Sequence, residues 1–67
     1  MEETYSDIIS VYGSVCYLPQ DVCCVHNVYA SDEKQYRYFY NIDEKKLQIL
    51  LGDEQRYTVH CERIYTV

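Results

Sequence analysis

Six side chains of the sequence could supply thiolate or imidazole chemistry: Cys16, Cys23, Cys24, Cys61, His26 and His60. These are ligand types that zinc prefers in tetrahedral sites. Cys23 and Cys24 are adjacent, however, so in a strand they point to opposite faces, and the same holds for His60 and Cys61. The largest set on one face is then Cys24 with His26, which is too small for a metal site. We expect the cysteines to be free thiols that fill the core; a structural zinc module and disulfides are the alternatives.

Cys24 and His26 could also pair as a nucleophile and its base. Such catalysis needs a third, orienting group and oxyanion donors in a pocket that excludes water. A sheet of 67 residues with short turns offers little depth for that pocket, and no Gly-rich loop is present to hold phosphate. The sequence therefore predicts a protein that is not an enzyme, with no catalytic residues, no metal site and no cofactor.

Tyrosine is the unusual component, with nine Tyr against one Phe and no Trp. Tyr36, Tyr38 and Tyr40 alternate along one predicted strand, so their rings share one face. They could cover the core, but a buried hydroxyl without a partner costs about 1–3 kcal/mol, which disfavours Tyr in a core selected for stability alone. Because Tyr is enriched at protein interfaces, we interpret the three rings as a partner-binding surface.

A sheet of exposed rings is also typical of proteins that stack single-stranded nucleic acid. Four bases lie near the tyrosines in sequence: Lys34, Arg37, Lys45 and Lys46. Arg37 falls between two tyrosines, however, and is expected to point to the opposite face. Single-stranded nucleic-acid binding is therefore the alternative function, and direct binding is less favoured than a protein partner.

Acidic residues dominate the first half of the chain. Residues 1–33 contain six acids and no Lys or Arg, whereas residues 34–67 contain six bases and five acids, so that the net charge is −5. Adjacent acids occupy predicted turns, where solvation alone would favour them. An array of such turns could instead imitate a phosphate backbone and attract a basic protein. We therefore add four carboxylates to the predicted partner-binding residues: Asp32, Glu33, Asp53 and Glu54.

The first residues have the spacing of a short helix. Tyr5, Ile8, Ile9 and Tyr12 recur at helical intervals, Thr4 could cap the N-terminus, and Gly13 could end the last turn. After Ser14 the period changes to two, which is typical of strands. The five predicted strands are 15–18, 22–30, 35–42, 47–51 and 56–67. The segment 43–52 could instead be helical.

Short polar gaps between these strands indicate antiparallel neighbours. The sequence thus predicts an α+β fold: one domain spanning 1–67, with a short N-terminal helix followed by a five-stranded antiparallel meander that is curled or forms a half-open barrel. Residues 56–67 would then form a long edge strand that a second copy could cover, so we expect a homodimer.

No apolar run approaches the roughly 20 residues needed to cross a bilayer, and the acidic N-terminus does not read as a secretory signal. We expect a cytoplasmic protein without a membrane association. Its size, acidity and tyrosine content resemble, in general character only, small inhibitors that phages and mobile elements encode against host nucleic-acid enzymes. The predicted function is a small acidic binding module, an inhibitor or adaptor that occupies a surface of a larger, basic protein.

Overall fold

The computed structural model describes residues 1–67, and its regular secondary structure consists of strands alone. Six strands follow one another along the chain: β1 (Glu2–Tyr12), β2 (Val15–Tyr17), β3 (Val22–Ala30), β4 (Tyr38–Asn41), β5 (Lys46–Ile49) and β6 (Arg56–Thr66). They form two antiparallel sheets of three strands. Sheet A has the order β1-β6-β3, and sheet B has the order β2-β5-β4. The chain has no helix of the length and apolarity that crossing a membrane requires.

The predicted N-terminal helix is wrong, because these residues form β1. The strand pairs with β6 along its whole length, from Glu2 opposite Thr66 to Tyr12 opposite Arg56. From Asp7 onward its side chains alternate between half-buried and exposed, which is the period of a strand. The helical spacing of the Tyr and Ile side chains in this segment is therefore not the spacing of the buried positions. Backbone pairing with a distant strand overrides a short local pattern that is marginal as an isolated helix.

The predicted meander is also wrong, because chain neighbours are not sheet neighbours. The last strand, β6, lies in the centre of sheet A between the first strand and the third. It is therefore not the open edge that we expected at residues 56–67. Of the predicted strands, 22–30 has the bounds of β3, and the ambiguous segment 43–52 contains strand β5 followed by a turn at Leu50 and Leu51.

The core lies between the two sheets. Nine of its ten buried side chains come from the strands of both sheets, and Leu18 follows β2; the ten are Leu18, Val22, Val25, Val28, Ala30, Leu47, Ile49, Tyr57, Val59 and Cys61. Sheet A contributes inward residues of β3 and β6, whereas sheet B contributes inward residues of β5. The buried Tyr57 hydroxyl donates to the Asp53 carbonyl oxygen at 2.8 Å and accepts from the Asp53 amide at 2.9 Å. This pair of bonds closes the turn before β6.

Strand β3 departs from a regular ladder at two places. Its register against β6 shifts between Val22 and Cys24 and again between Val25 and Asn27. At such bulges the ladder is locally disrupted and the strand bends. At both shifts a backbone carbonyl of β3 is free to accept a hydrogen bond from sheet B. These carbonyls belong to Val22 and Val25.

Val59 and Thr58 test which face of β6 is inside. Val59 is fully buried, whereas Thr58 is exposed on the opposite face. We expect Val59→Ala to lower the free energy of unfolding by about 2 kcal/mol, through lost apolar contacts and the cavity left behind. Thr58→Ala should stay within about 0.5 kcal/mol of the wild type. Urea denaturation measures both variants, and a larger loss for Thr58→Ala would contradict the assignment of faces.

Candidate functional site

Tyr36, Tyr38 and Tyr40 lie on the side of sheet B that faces the core. Their rings are half-buried and pack against the buried cluster. Tyr38 is opposite Ile49 and Tyr40 is opposite Leu47, and both β5 partners are buried. The shared face predicted from their spacing is therefore present, and it is turned toward sheet A.

The hydroxyls of two of these tyrosines bond to the backbone of β3. The Tyr38 hydroxyl donates to the Val25 carbonyl oxygen, and the Tyr40 hydroxyl donates to the Val22 carbonyl oxygen at 2.9 Å. The Lys45 ammonium also donates to the Val22 carbonyl oxygen, at 3.2 Å. Both acceptors sit at the register shifts of β3. The phenols thus satisfy carbonyls at the bulges, which a Phe ring could not do.

Tyr36 has a different environment. Its ring meets the Tyr57 ring edge-to-face with centroids 5.3 Å apart, and the Lys34 ammonium lies 5.4 Å from its ring centre. The Gln55 side-chain amide donates to the Tyr36 hydroxyl at 3.4 Å.

Burial raises the pKa of Tyr38 and of Tyr40 above the ordinary value of 10.0. All three rings keep partial exposure, so their role in partner binding stays a prediction.

The side of sheet B that faces away from the core is a second surface, which the sequence analysis did not select. We call it the outer face of sheet B, and its residues are Val15, Tyr17, Arg37, Phe39, Asn41, Lys46, Gln48 and Leu50. Val15 and Phe39 both pair with Gln48, so the three form one row across the sheet. Phe39 is 59% exposed and Tyr17 is 68% exposed. Large apolar side chains here are thus held in solvent by strand alternation.

The charged side chains of this outer face are cationic. Arg37 has the parity of Phe39, and the Leu50 amide donates to its carbonyl oxygen at 2.9 Å, which continues the β4–β5 ladder. Lys46 lies between Tyr17 and Asn41 in the neighbouring row. The alternation of residues 35–42 is enough to predict that Arg37 and Phe39 share a face. That Val15 and Tyr17 lie on the same face follows only from the pairing of β2 and β4 with β5.

The predicted acidic residues lie in two turns at one end of sheet A. Ala30 pairs with Tyr57, so the turn after β3 and the turn before β6 lie at the same end. All four carboxylates, of Asp32, Glu33, Asp53 and Glu54, are exposed. Asp53 is also structural: its carboxylate accepts from the Gln55 side-chain amide at 2.6 Å and from the Tyr57 hydroxyl at 3.1 Å, and these bonds hold its pKa below 3.8.

The cysteine and histidine side chains lie on sheet A, except for Cys16, which lies on β2 of sheet B. All four cysteines are free, with Cys61 buried and Cys24 exposed. His26 lies within the second bulge and contacts His60, with ring centroids 5.8 Å apart, and its Nε2 is 3.5 Å from a Glu62 carboxylate oxygen. No three His, Cys, Asp or Glu side chains form a group that could hold a metal ion. The proximity of His26 and His60 depends on non-local pairing and was not predicted.

An ion cluster joins three segments of sheet A. Arg63 of β6 lies 2.9 Å from the Asp7 carboxylate of β1 and 3.0 Å from that of Asp21, which precedes β3. The Ile64 amide donates to the Asp21 carbonyl oxygen at 2.8 Å. The bond from Arg63, with a second from the Ile8 amide, lowers the pKa of Asp7 below 3.8. Arg63 thereby ties both outer strands to the central one.

Comparison with family models, with curated proteins and with solved structures finds no match to this chain.

The lowered pKa of Asp7 predicts a dependence of stability on pH. A carboxyl whose pKa is lower in the folded state stabilises the fold above its unfolded pKa, and this contribution is lost as the pH falls through the folded value. We therefore expect wild-type stability to drop below about pH 4, with Asp53 contributing in the same direction. Arg63→Gln should flatten part of this drop.

Arg56→Gln is the matched control, because Arg56 is exposed and bonds only the Ser10 hydroxyl, at 3.2 Å. Urea unfolding at pH 7 and at about pH 3 gives the difference for each variant. An unchanged pH dependence in Arg63→Gln would show that the ion cluster does not couple the folded state to protonation.

Proposed function

We propose that this chain is a non-enzymatic protein-binding module of the inhibitor or adaptor class, which docks on a larger protein through the outer face of sheet B. The observation that carries the proposal is the row of Val15, Gln48 and Phe39, with Tyr17 beside it. Exposed apolar surface of this kind is typical of interaction sites, because leaving it in water costs free energy that docking recovers.

The composition of the row supports a protein partner. Phe39 in the row and Tyr17 beside it are of the types enriched at the centres of interfaces, and both lie on strands of sheet B. Arg37 and Lys46 lie on the same face and could pair with carboxylates or backbone carbonyls of the partner. The half-buried tyrosines behind the row support it from inside.

The acidic turns supply a second element of the proposal. Four exposed carboxylates at one end of sheet A give that end a negative potential, which attracts a basic protein at long range. Steering of this kind acts mainly on the association rate, whereas the contacts made by Val15, Phe39 and Tyr17 govern dissociation. A partner with carboxylates around its apolar docking patch and a separate basic surface fits both features.

The non-enzymatic part of the proposal is supported by the surroundings of the nucleophile and the bases. Cys24 and His26 are both exposed, and the nearest groups to His26 are His60 and Glu62 on the same open sheet surface. Nucleophilic catalysis requires oxyanion donors and exclusion of water, and an open sheet surface favours neither.

Single-stranded nucleic-acid binding is a second candidate, and one observation favours it. Phe39 and Tyr17 share the outer face of sheet B with Arg37 and Lys46. The rings could stack bases while the cations contact phosphates. The tyrosines 36, 38 and 40 do not provide this platform, since they pack against the core.

Phe39→Ser tests the docking face. Truncation of an exposed aromatic anchor of this face should weaken partner binding by more than about 1 kcal/mol without unfolding the protein. Leu51→Ser is the matched control, because Leu51 is a fully exposed turn residue outside the row. Quantitative affinity capture from host extract compares the wild type with both variants, with thermal melts to confirm folding.

Capture that is lost in Phe39→Ser and kept in Leu51→Ser is the expected result. Equal capture by all three proteins would contradict docking through this face. Retardation of a single-stranded oligonucleotide by the wild type at physiological salt, abolished in Phe39→Ser, would replace the protein partner by the second candidate.

A further inference from the structure

Strand β1 is an open edge of sheet A. It has β6 on one side and no strand on the other, over 11 residues. The other sheet edges are short or covered. β2 has three residues and β4 has four. β3 is bulged, and its free side is met by Gln35, which bridges to Tyr29, and by the Tyr36 amide, which donates to the Val28 carbonyl oxygen.

The hydrogen bonds at both ends of β1 show which backbone groups face the open side. The Gly13 amide donates to Gln55, and the Val67 amide donates to Met1, so odd-numbered residues of β1 are hydrogen-bonded to β6. Pairs alternate in an antiparallel ladder, so the even-numbered residues direct their amides and carbonyls outward. The Ile8 amide agrees with this parity, because it bonds the side chain of its neighbour Asp7.

This edge has only one of the features that usually protect edge strands from pairing. Natural edges are blocked by charged side chains, above all Lys, and by Pro, bulges or short length. Strand β1 carries three acids, Glu2, Glu3 and Asp7, which disfavour registers that bring like charges together. From Glu2 to Tyr12 the strand contains no Lys, Arg, Pro or Gly, and its register against β6 is continuous. Ile8 is 66% exposed and Tyr12 is 60% exposed on the same face. The strand thus offers a template for another strand, on which pairing at Ile8 exchanges the bond of its amide to the Asp7 side chain for a bond to the second strand.

We propose that two copies of the chain pair antiparallel through their β1 edges, with Ile8 opposite Ile8 of the second copy. Sheet A then becomes a continuous six-stranded sheet with a two-fold axis at Ile8. This pairing is independent of the docking proposed for the outer face of sheet B, because it uses the other sheet.

Backbone parity restricts the register, because only even residues can be hydrogen-bonded across the axis. With Ile8 on the axis, Thr4 lies opposite Tyr12 and Ser6 lies opposite Ser10 of the copy. Residues 4–12 are then paired on each side, which includes every apolar residue from Ile8 to Tyr12.

The charge pattern disfavours registers in which the axis lies closer to the N-terminus of β1, and registers in which it lies closer to the C-terminus shorten the ladder. The acids of β1 are Glu2, Glu3 and Asp7, all in its first part. With Ile8 on the axis, Asp7 faces Ile9 of the copy and the two glutamates lie beyond the paired segment. A shift that places Asp7 on the axis opposes two carboxylates, and a shift that places Ser6 there draws both glutamates into the ladder. Like charges directly opposite destabilise strand pairs.

Analytical ultracentrifugation over a range of concentrations tests the pairing on the protein alone. The wild type should shift from 8.0 kDa toward twice that mass as concentration rises. Ser6→Pro removes an outward amide that has no partner within the chain, so it should weaken association by more than about tenfold while the fold is kept. Ser6→Ala retains the amide and should associate like the wild type.

Amide exchange provides a readout that does not depend on the Pro variant folding. Protection of the amides of Thr4, Ser6, Ser10 and Tyr12 should rise with protein concentration, whereas odd-numbered amides of β1 are protected throughout. In a mixed sample of isotope-labelled and unlabelled protein, an intermolecular contact between the Asp7 and Ile9 Cα protons should mark the register, since these residues form a non-hydrogen-bonded pair. A monomer at all concentrations, or dimerisation that leaves the even-numbered amides unprotected, would overturn the proposal.

Discussion

The structure depends on hydrogen bonds that join tyrosine hydroxyls of sheet B to the bulged strand of sheet A. The register shifts of β3 lie at Val22 and Val25, and the carbonyls of these residues accept from Tyr40 and Tyr38. A buried carbonyl without a donor costs about 1–3 kcal/mol, so the two phenols, with the Lys45 ammonium at Val22, stabilise the bulges. The apolar contacts between the sheets supply most of the driving force for folding, whereas the phenols fix how the sheets are placed against each other.

The same bonds determine which surface is left for a partner. Because strand side chains alternate, a strand that turns Tyr38 and Tyr40 toward the core must turn Phe39 outward, with Arg37 beside it. Pairing through β5 then brings Val15 into line with Phe39. The proposed docking face is thus a consequence of the tyrosine contacts, and the abundance of Tyr in this chain has a structural explanation at two positions.

The sequence could predict local features better than long-range pairing. The strand predicted at 22–30 was confirmed in β3, although its buried residues, Val22, Val25, Val28 and Ala30, do not follow strict alternation because two bulges interrupt it. The helix at the N-terminus was wrong, since the decisive partner of β1 is β6, more than 40 residues away. The two bulges carry no sequence signal of their own, so neither the acceptors of the tyrosine hydroxyls nor the approach of His26 to His60 could be found. Alternation did predict that Phe39 points to the face opposite the tyrosines. Its neighbours on that face, Gln48 and Val15, follow only from the strand order of sheet B.

The most direct test of the central claim is the stability of Tyr38→Phe, measured by urea denaturation beside Tyr17→Phe. Tyr38 donates to the Val25 carbonyl oxygen at a bulge, whereas Tyr17 is 68% exposed on the outer face. If the phenols hold the sheets together, Tyr38→Phe lowers the free energy of unfolding by about 1–3 kcal/mol and Tyr17→Phe changes it by less than about 0.5 kcal/mol. Equal stability of the two variants, with partner binding lost in Tyr38→Phe, would contradict the claim and would identify the tyrosines as the docking surface instead.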